Sequence, residues 1–387
     1  MRKTTFRVRL PAPPSVGTGA GRQGVRSSEI CYDIEKAREM KLLISGNDAI
    51  FEGAVRAGAS YFAGYPISPT SEILQRAALQ SEEDPKFQFL QAEDEIAAAI
   101  ATISASLAGA KAFTATSGPG FSLMQEALGW GHVVEAPCVF VNSMRVGPST
   151  GMPTQPAQSD LFQIKAGSAG DYYPIAFYPY SVEECFRLTV TAFNAAEESL
   201  SPVILLADAF LSHLYELVDL GKIKTEIVSR TKEPLGTGQR LFTGTAHDKM
   251  GNVKTSDPLI YREWLWEVKD RHSRVAEKYP LFEYLPRKDS NVLLIAFGIT
   301  SRIISALKER FSIFRPIRIY PVLEKELREV TQSYPRIFVI EGNDEQYATW
   351  VEWAIGRKVM KVPCLGGGFK LNWIQSQIEE QLKKESR

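Results

Sequence analysis

The chain has 387 residues, 44% hydrophobic and 23% charged, and its 45 basic residues balance 45 acidic ones. That is enough chain for two domains with a sizeable core, and it lacks the basic excess that nucleic acid or an anionic membrane surface would need. No run approaches the roughly 18 apolar residues of a membrane span, and four dispersed cysteines (Cys31, Cys138, Cys185, Cys364) form no C-x-x-C pair for zinc or an iron–sulfur cluster; a soluble protein of a reducing cytoplasm is expected.

Residues 1–39 are rich in Arg, Pro, Gly and Ser without apolar periodicity, and are expected to be a disordered tail. Their Pro and Gly content opposes the amphipathic helix of an organellar transit peptide, and Met40 is an alternative start. From Met40, strand and helix patterns alternate. KLLISG reads as a strand closed by Gly46. NDAIFEGAVRAGAS reads as a helix capped by Asn47, YFAGYPIS as a second strand, and PTSEILQRAALQ as a helix with Pro69 in its first turn. KFQFLQAE, AKAFTAT and APCVFVNSMR follow as strands. The small-residue helix DEIAAAIATISASLAG and the helix FSLMQEALGWGHVV separate them, the second entered through the Gly/Pro loop TSGPG.

Successive β-α units predict an α/β fold with a doubly wound, mostly parallel sheet over residues 40–220, completed by the helix SVEECFRLTVTAFNAAEESL and the strand SPVILLAD. Residues 221–290 read as an irregular linker or crossing segment. NVLLIAFG, RPIRIYPV and RIFVIEG then predict a smaller α/β domain over 291–387. In such sheets ligands bind beyond the carboxyl ends of the strands. YPISP, QAEDE, TATSGPG and NSMRVGPSTGMPT all fall there, so they are expected to converge on one site.

These motifs carry a resemblance. From Met40 onward the chain resembles the alpha subunit of the 2-oxoacid:ferredoxin oxidoreductases, most closely the 2-oxoglutarate type. The resemblance rests on GYPISPTSEI, AEDEIAA, TSGPG and the TGTAHDKMG stretch from Thr243 to Gly251. It implies a pyrimidine-binding-like domain and a transketolase C-terminal-like domain. It also implies dependence on thiamine diphosphate, whose aminopyrimidine N1′ must face a carboxyl group in a closed pocket. Glu95 matches the family's glutamate, leaving Glu93 and Asp94 to cap the helix electrostatically; the alternative is that all three are only a helix N-terminus. Ile67, Thr116, Ser117 and Gly118 are the implied cofactor contacts. Ser68, where the family generally has threonine, and Arg145 are the implied clamp on the 2-oxoacid carboxylate. On the residues alone, YPISP remains readable as a turn and Arg145 as a surface cation.

The resemblance also specifies what another chain must bring. There is no G-D-G sequence to hold Mg²⁺ and the diphosphate, and no cluster-binding cysteine set. A beta subunit is expected to supply both, including a [4Fe-4S] cluster, with ferredoxin as electron acceptor, coenzyme A as acyl acceptor, and gamma or delta subunits as further partners. Where many relatives read G-x-H-G-D/E this chain has GSAGDYY, so Ala169 stands in place of a histidine. That opens a branched-chain or other 2-oxoacid as an alternative to 2-oxoglutarate. The same motifs also fit a non-oxidative transketolase-like enzyme or a non-catalytic structural subunit.

Overall fold

The structure, a computed structural model, describes residues 5–8, 30–33, 41–230, 232–237, 243–248, 251–279 and 282–385. Of the N-terminal stretch expected to be disordered, Thr5–Val8 and Ile30–Asp33 are strands that pair antiparallel. The rest of that stretch, and the alternative start Met40, lie outside the described residues.

Parallel strands build most of the large sheet. Its order is Arg318–Tyr320, Ile175–Phe177, Pro202–Asp208, Cys138–Val146, Ala112–Thr116, Tyr61–Gly64 and Gln88–Gln91, with Met152–Pro156 folded back onto Cys138–Val146. All are parallel except Arg318–Tyr320, which runs antiparallel to Ile175–Phe177, and Met152–Pro156. The central strands are apolar on both faces because helices cover both. Ala98, Ile103 and Leu107 of helix Glu95–Leu107 pack on one face with Phe121 and Leu128. Ala49, Ile50, Ile73, Phe186 and Phe193 from three other helices pack on the opposite face. Helices Gly46–Arg56 and Val182–Ser199 approach so closely that a Cβ on Gly53 would lie 2.5 Å from the carbonyl oxygen of Phe186.

Several local expectations are corrected. Leu42–Ser45 is a strand, but it stands outside the large sheet, pairing antiparallel with Tyr215–Val218. The following helix starts at Gly46 and is capped by Ser45, whose hydroxyl accepts from the Asp48 N–H while the Asp48 carboxylate accepts from the Ser45 N–H. Asn47 is therefore inside the helix, not its cap. Helix Ser71–Glu83 begins two residues after Pro69. Gly118 and Gly120, expected in a loop, belong to helix Gly118–Leu123.

The segment read as a linker holds the 21-residue helix Pro258–Lys278, capped by Asp257, and the strand Phe282–Leu285. That strand is the edge of a second sheet of order Phe282–Leu285, Ser312–Pro316, Val292–Ala296, Arg336–Glu341 and Met360–Pro363. The two sheets share one apolar core, in which Ile295, Phe297, Phe314 and Tyr347 meet Phe140, Tyr178 and Leu206. Strand Arg318–Tyr320, expected to belong to the small domain, instead extends the large sheet. Arg315 spans the junction with a bidentate pair to Glu184 at 2.9 and 3.0 Å and a bond to Glu283 at 2.9 Å, its guanidinium lying over the Tyr180 ring.

Candidate active site

The large sheet changes winding direction between Tyr61–Gly64 and Ala112–Thr116, since the chain moves outward to Gln88–Gln91 and then back to the other side. A crevice opens beyond the strand ends at such a reversal. YPISP leaves the first of these two strands, TSGPG the second, and QAEDE the neighbouring edge strand. The Gly64 carbonyl accepts from the Ala92 N–H at 2.9 Å and so ties two of these exits together.

The YPISP turn is fixed from below. The Ile67 carbonyl accepts from both the N–H and the hydroxyl of Thr70, at 2.9 and 3.1 Å. Buried Asn47 donates to the Pro69 carbonyl at 2.7 Å and to the Glu72 carboxylate at 2.9 Å. Ser68 is left exposed at the tip, and its backbone carbonyl accepts from the Arg145 guanidinium Nη1 at 2.8 Å. Ser68 and Arg145 are thus brought together, through a backbone atom rather than through the serine hydroxyl.

Three acidic neighbours separate by environment. Glu93 and Asp94 are exposed, and the Asp94 carboxylate caps the helix by accepting from the Ala97 N–H at 2.7 Å. Glu95 is buried at 6% exposure and points under the first turn of helix Gly118–Leu123. A Cβ on Gly120 would stand 2.5 Å from Glu95 Oε1, 2.6 Å from its Cγ, and closer still to the Thr116 hydroxyl. The missing side chain at Gly120 is what lets the carboxylate, the Thr116 hydroxyl and the TSGPG backbone occupy one place.

Arg145 lies near the end of strand Cys138–Val146 at 7% exposure. Burial lowers its pKa from the ordinary arginine value, while Glu95 and Asp160 oppose the shift. Nη1 is used by Ser68, and Nε is buried without a partner. Among the described residues, the Nε/Nη2 edge, the fork that matches a planar carboxylate, is therefore free of protein acceptors. Asp160, also 7% exposed, follows strand Met152–Pro156 and accepts from Asn142 Nδ2 at 3.0 Å. Burial pushes its carboxyl up to about 6, against the Asn142 bond and the Arg145 charge. Ser117 Oγ and Asn142 Oδ1 are buried without partners among the described residues.

Asp160 had no place among the candidates drawn from the sequence, and Asn142 and Gly120 stood there only as members of the NSMRVGPSTGMPT and TSGPG motifs. The only trace of Asp160 was an acid before the short helix Leu161–Ala166, the ordinary pattern of a cap; yet its side chain makes no cap bond and turns to the site. Conversely, two sequence features fall elsewhere. Ala169 lines a cavity of about 120 Å³ with Gly129, His132, Tyr172 and Trp264. That cavity is lined from helix Gln125–Val133, the helix after the one that carries Gly120. Gly244 of the TGTAHDKMG stretch packs on Trp130 in the same region; Lys249 and Met250 of that stretch lie outside the described residues.

Residues 52–282 match the family described as pyruvate flavodoxin/ferredoxin oxidoreductase, thiamine diphosphate-binding. The chain is 38% identical to the 2-oxoglutarate synthase subunit KorA of Archaeoglobus fulgidus over 322 residues, covering 80% of this chain and 90% of that protein. It is 32% identical to the ketoisovalerate oxidoreductase subunit VorB of Methanothermobacter marburgensis, covering 87% and 97%. Among solved structures, the 2-oxoglutarate:ferredoxin oxidoreductase from Magnetococcus marinus, with 2-oxoglutarate, coenzyme A and succinyl-CoA bound, superposes with a TM-score of 0.81 at 27% identity. The match covers 88% of this chain and 65% of that one. The chain belongs to the 2-oxoacid:ferredoxin oxidoreductase family and carries its thiamine-diphosphate-binding domain.

Proposed function

We propose that this chain is the alpha-type subunit of a complex that oxidatively decarboxylates a 2-oxoacid, 2-oxoglutarate first among them, with coenzyme A, and passes the electrons to ferredoxin. The observation that carries the reading is the pairing, at the sheet's switch point, of a buried glutamate lodged under Gly120 with a buried arginine whose carboxylate-binding edge is free among the described residues.

The residues fit the aminopyrimidine half of thiamine diphosphate. Gly120 leaves the space a Cβ would fill, Glu95 lies beneath it, and Ser117 Oγ and Asn142 Oδ1 are buried polar atoms awaiting partners. When bound, thiamine diphosphate supplies the nucleophilic carbon that attacks a 2-oxoacid ketone. Glu95 would exchange a proton with ring atom N1′, and the Thr116–Gly118 backbone and Ile67 would border the ring. Arg145 would take the substrate carboxylate on its Nε/Nη2 edge, while its Nη1 holds the YPISP turn so that the Ser68 hydroxyl reaches the same group. A beta subunit would bring the diphosphate and Mg²⁺ site and the [4Fe-4S] cluster, with ferredoxin docking on the assembled complex.

The resemblance to a ketoisovalerate oxidoreductase subunit over 97% of that protein's length favours branched-chain 2-oxoacids as a second reading. One assay addresses both: 2-oxoacid- and CoA-dependent reduction of ferredoxin or a viologen dye by the native complex. 2-Oxoglutarate is expected to be turned over with the highest kcat/KM, and Glu95→Gln to slow turnover by orders of magnitude while the complex still assembles. Preference for 2-oxoisovalerate selects the second reading. Turnover without any electron acceptor points to a non-oxidative enzyme, and unchanged turnover in Glu95→Gln to a structural subunit.

A further inference from the structure

The segment that carries Asp160 is gripped from the other domain. The sequence EGNDEQ, residues 341–346, runs from the end of strand Arg336–Glu341 into helix Gln346–Ile355. The Gly342 carbonyl accepts from the Gln158 N–H at 2.9 Å, and the Gly342 N–H donates to the Gln158 side-chain oxygen at 2.7 Å. Asn343 Nδ2 donates to the Gln158 carbonyl at 2.6 Å, while its Oδ1 accepts from the Gln346 N–H at 2.8 Å. Gln346 Nε2 donates to the Ser159 carbonyl at 2.7 Å, and its Oε1 accepts from the Leu161 and Phe162 N–H groups at 3.0 and 3.2 Å. Asp160, in the middle of this grip, bonds the other way. Its N–H donates to the Met144 sulfur and its carboxylate accepts from Asn142 Nδ2, both on strand Cys138–Val146. Its Oδ2 lies 3.4 Å from where a Cβ on Gly118 would stand.

Asp160 precedes helix Leu161–Ala166, and an aspartate there ordinarily spends its carboxylate on the first-turn N–H groups. Here the Gln346 carboxamide has taken those of Leu161 and Phe162. The Asp160 backbone, at φ −104° and ψ 20°, is not in the extended conformation of a capping residue, and its side chain makes no cap bond. The cap is therefore supplied across the domain junction, and the carboxylate is released inward. There it has a second effect. An ionised carboxylate only accepts, so Asn142 must turn its amino group to Asp160, which leaves Asn142 Oδ1 as a buried acceptor without a partner among the described residues. A buried acceptor of fixed orientation calls for a donor, and an aminopyrimidine carries one.

We propose that Gln346 is a positioning residue for the cofactor bay: by capping helix Leu161–Ala166 from the C-terminal domain it keeps the Asp160 carboxylate on Asn142, and so fixes the Asn142 amide. The inference rests on the placement of the thiamine diphosphate bay given above. It makes the EGNDEQ turn the means by which the second domain sets the geometry of a site built on the first. Without the Gln346 oxygen, the Leu161 and Phe162 N–H groups lose their acceptor, and Asp160, the nearest side chain in sequence, turns to serve them. Asn142 is then free to rotate.

The test is a double-variant cycle read on cofactor affinity. Thiamine diphosphate with Mg²⁺ is titrated calorimetrically into the native complex after dialysis has removed it. Gln346→Met keeps the side chain's bulk but none of its hydrogen bonds, and is expected to weaken binding by about fivefold or more. Gln346→Glu keeps an oxygen for the two N–H groups and is expected to bind within about twofold of wild type. Asp160→Ala should weaken binding as Gln346→Met does, and the double variant should be no weaker than Asp160→Ala alone, because Gln346 acts through Asp160. A crystal structure of the Gln346→Met complex should show the Asp160 carboxylate off Asn142 and on the first-turn N–H groups. Unchanged affinity in Gln346→Met or in Asp160→Ala overturns the inference. Losses that multiply in the double variant overturn it too, since they make Gln346 a general support of the fold, as does a Gln346→Glu complex no better than Gln346→Met. Should Gln346→Met fail to fold, Asn343→Ala, which removes one bond of the same grip, takes its place in the cycle with the same outcomes. Cofactor affinity and atomic positions do not depend on which 2-oxoacid is turned over, so a complex that turns over none would overturn the substrate reading alone.

Discussion

Gly120→Ala is the most direct probe of the site's construction. The added methyl would lie 2.5 Å from Glu95 Oε1 and closer still to the Thr116 hydroxyl, both inside the 3.0 Å that real Cβ atoms respect. Neither neighbour has room to retreat: Thr116 is fully buried in a central strand and Glu95 is 6% exposed beneath the helix. Overpacking of this kind costs about 1–3 kcal/mol. Gly120 sits in a helix, so alanine returns up to about 1 kcal/mol of helix propensity, and a net loss of about 0–3 kcal/mol in folding stability is expected. The functional loss should be larger, because the cheapest relief is to displace the Glu95 carboxylate. Thermal melts of the chain and dye reduction by the complex separate the two. A small change in Tm with at least a tenfold fall in kcat is the expected pair of results, and Thr116→Ala in the same chain should recover part of the stability. Unchanged kcat in Gly120→Ala would refute the placement of the Glu95 carboxylate under this helix.

Arg145→Ala should cost about 2–4 kcal/mol in kcat/KM, since it removes both the free carboxylate edge and the support of the YPISP turn. Ser68→Ala, which spares the carbonyl that Arg145 holds, should cost only about 1–2 kcal/mol, and the double variant less than the sum; equal effects of the two single changes would contradict the geometry. Arg315→Ala should destabilise the protein by about 3 kcal/mol in chemical denaturation, the low end for a broken buried pair because Arg187 still bonds Glu184 at 2.9 Å. Glu341, whose carboxylate accepts from the Tyr347 and Ala348 N–H groups, is pushed by burial up to about 7. Its folded pKa exceeds the unfolded one, so its contribution is fully present below about pH 4.5 and is lost as pH rises through 7, by up to about 3 kcal/mol. Glu341→Gln should flatten that part of the stability–pH curve, and an unaltered curve would assign it to other groups.

The order of the β-α units in the first half of the chain, and the loops that gather at the sheet's switch point, were legible because they are local. Apolar runs such as Ala112–Thr116 and Pro202–Asp208 write themselves as buried strands, and the Gly/Pro turn after the first marks the sheet edge where ligands gather. The identity of the buried glutamate was legible too, since a resemblance of motif singles out Glu95 from its two neighbours. Other features depend on partners distant in sequence. Leu42–Ser45 has a strand's composition whichever sheet it joins, and only the neighbouring Tyr215–Val218 removes it from the large one. Arg318–Tyr320 likewise leaves its own domain because Ile175–Phe177 offers an open edge. Asn47 looks like a cap until Ser45 and Asp48 close a capping box and free its amide for Pro69 and Glu72. Asp160 is an ordinary polar residue after a hairpin until the fold buries it against Asn142 and Gly118. Local pattern fixes which residues must leave water, whereas the company that a buried polar group keeps, and hence its charge and its chemistry, is settled only when the elements pack.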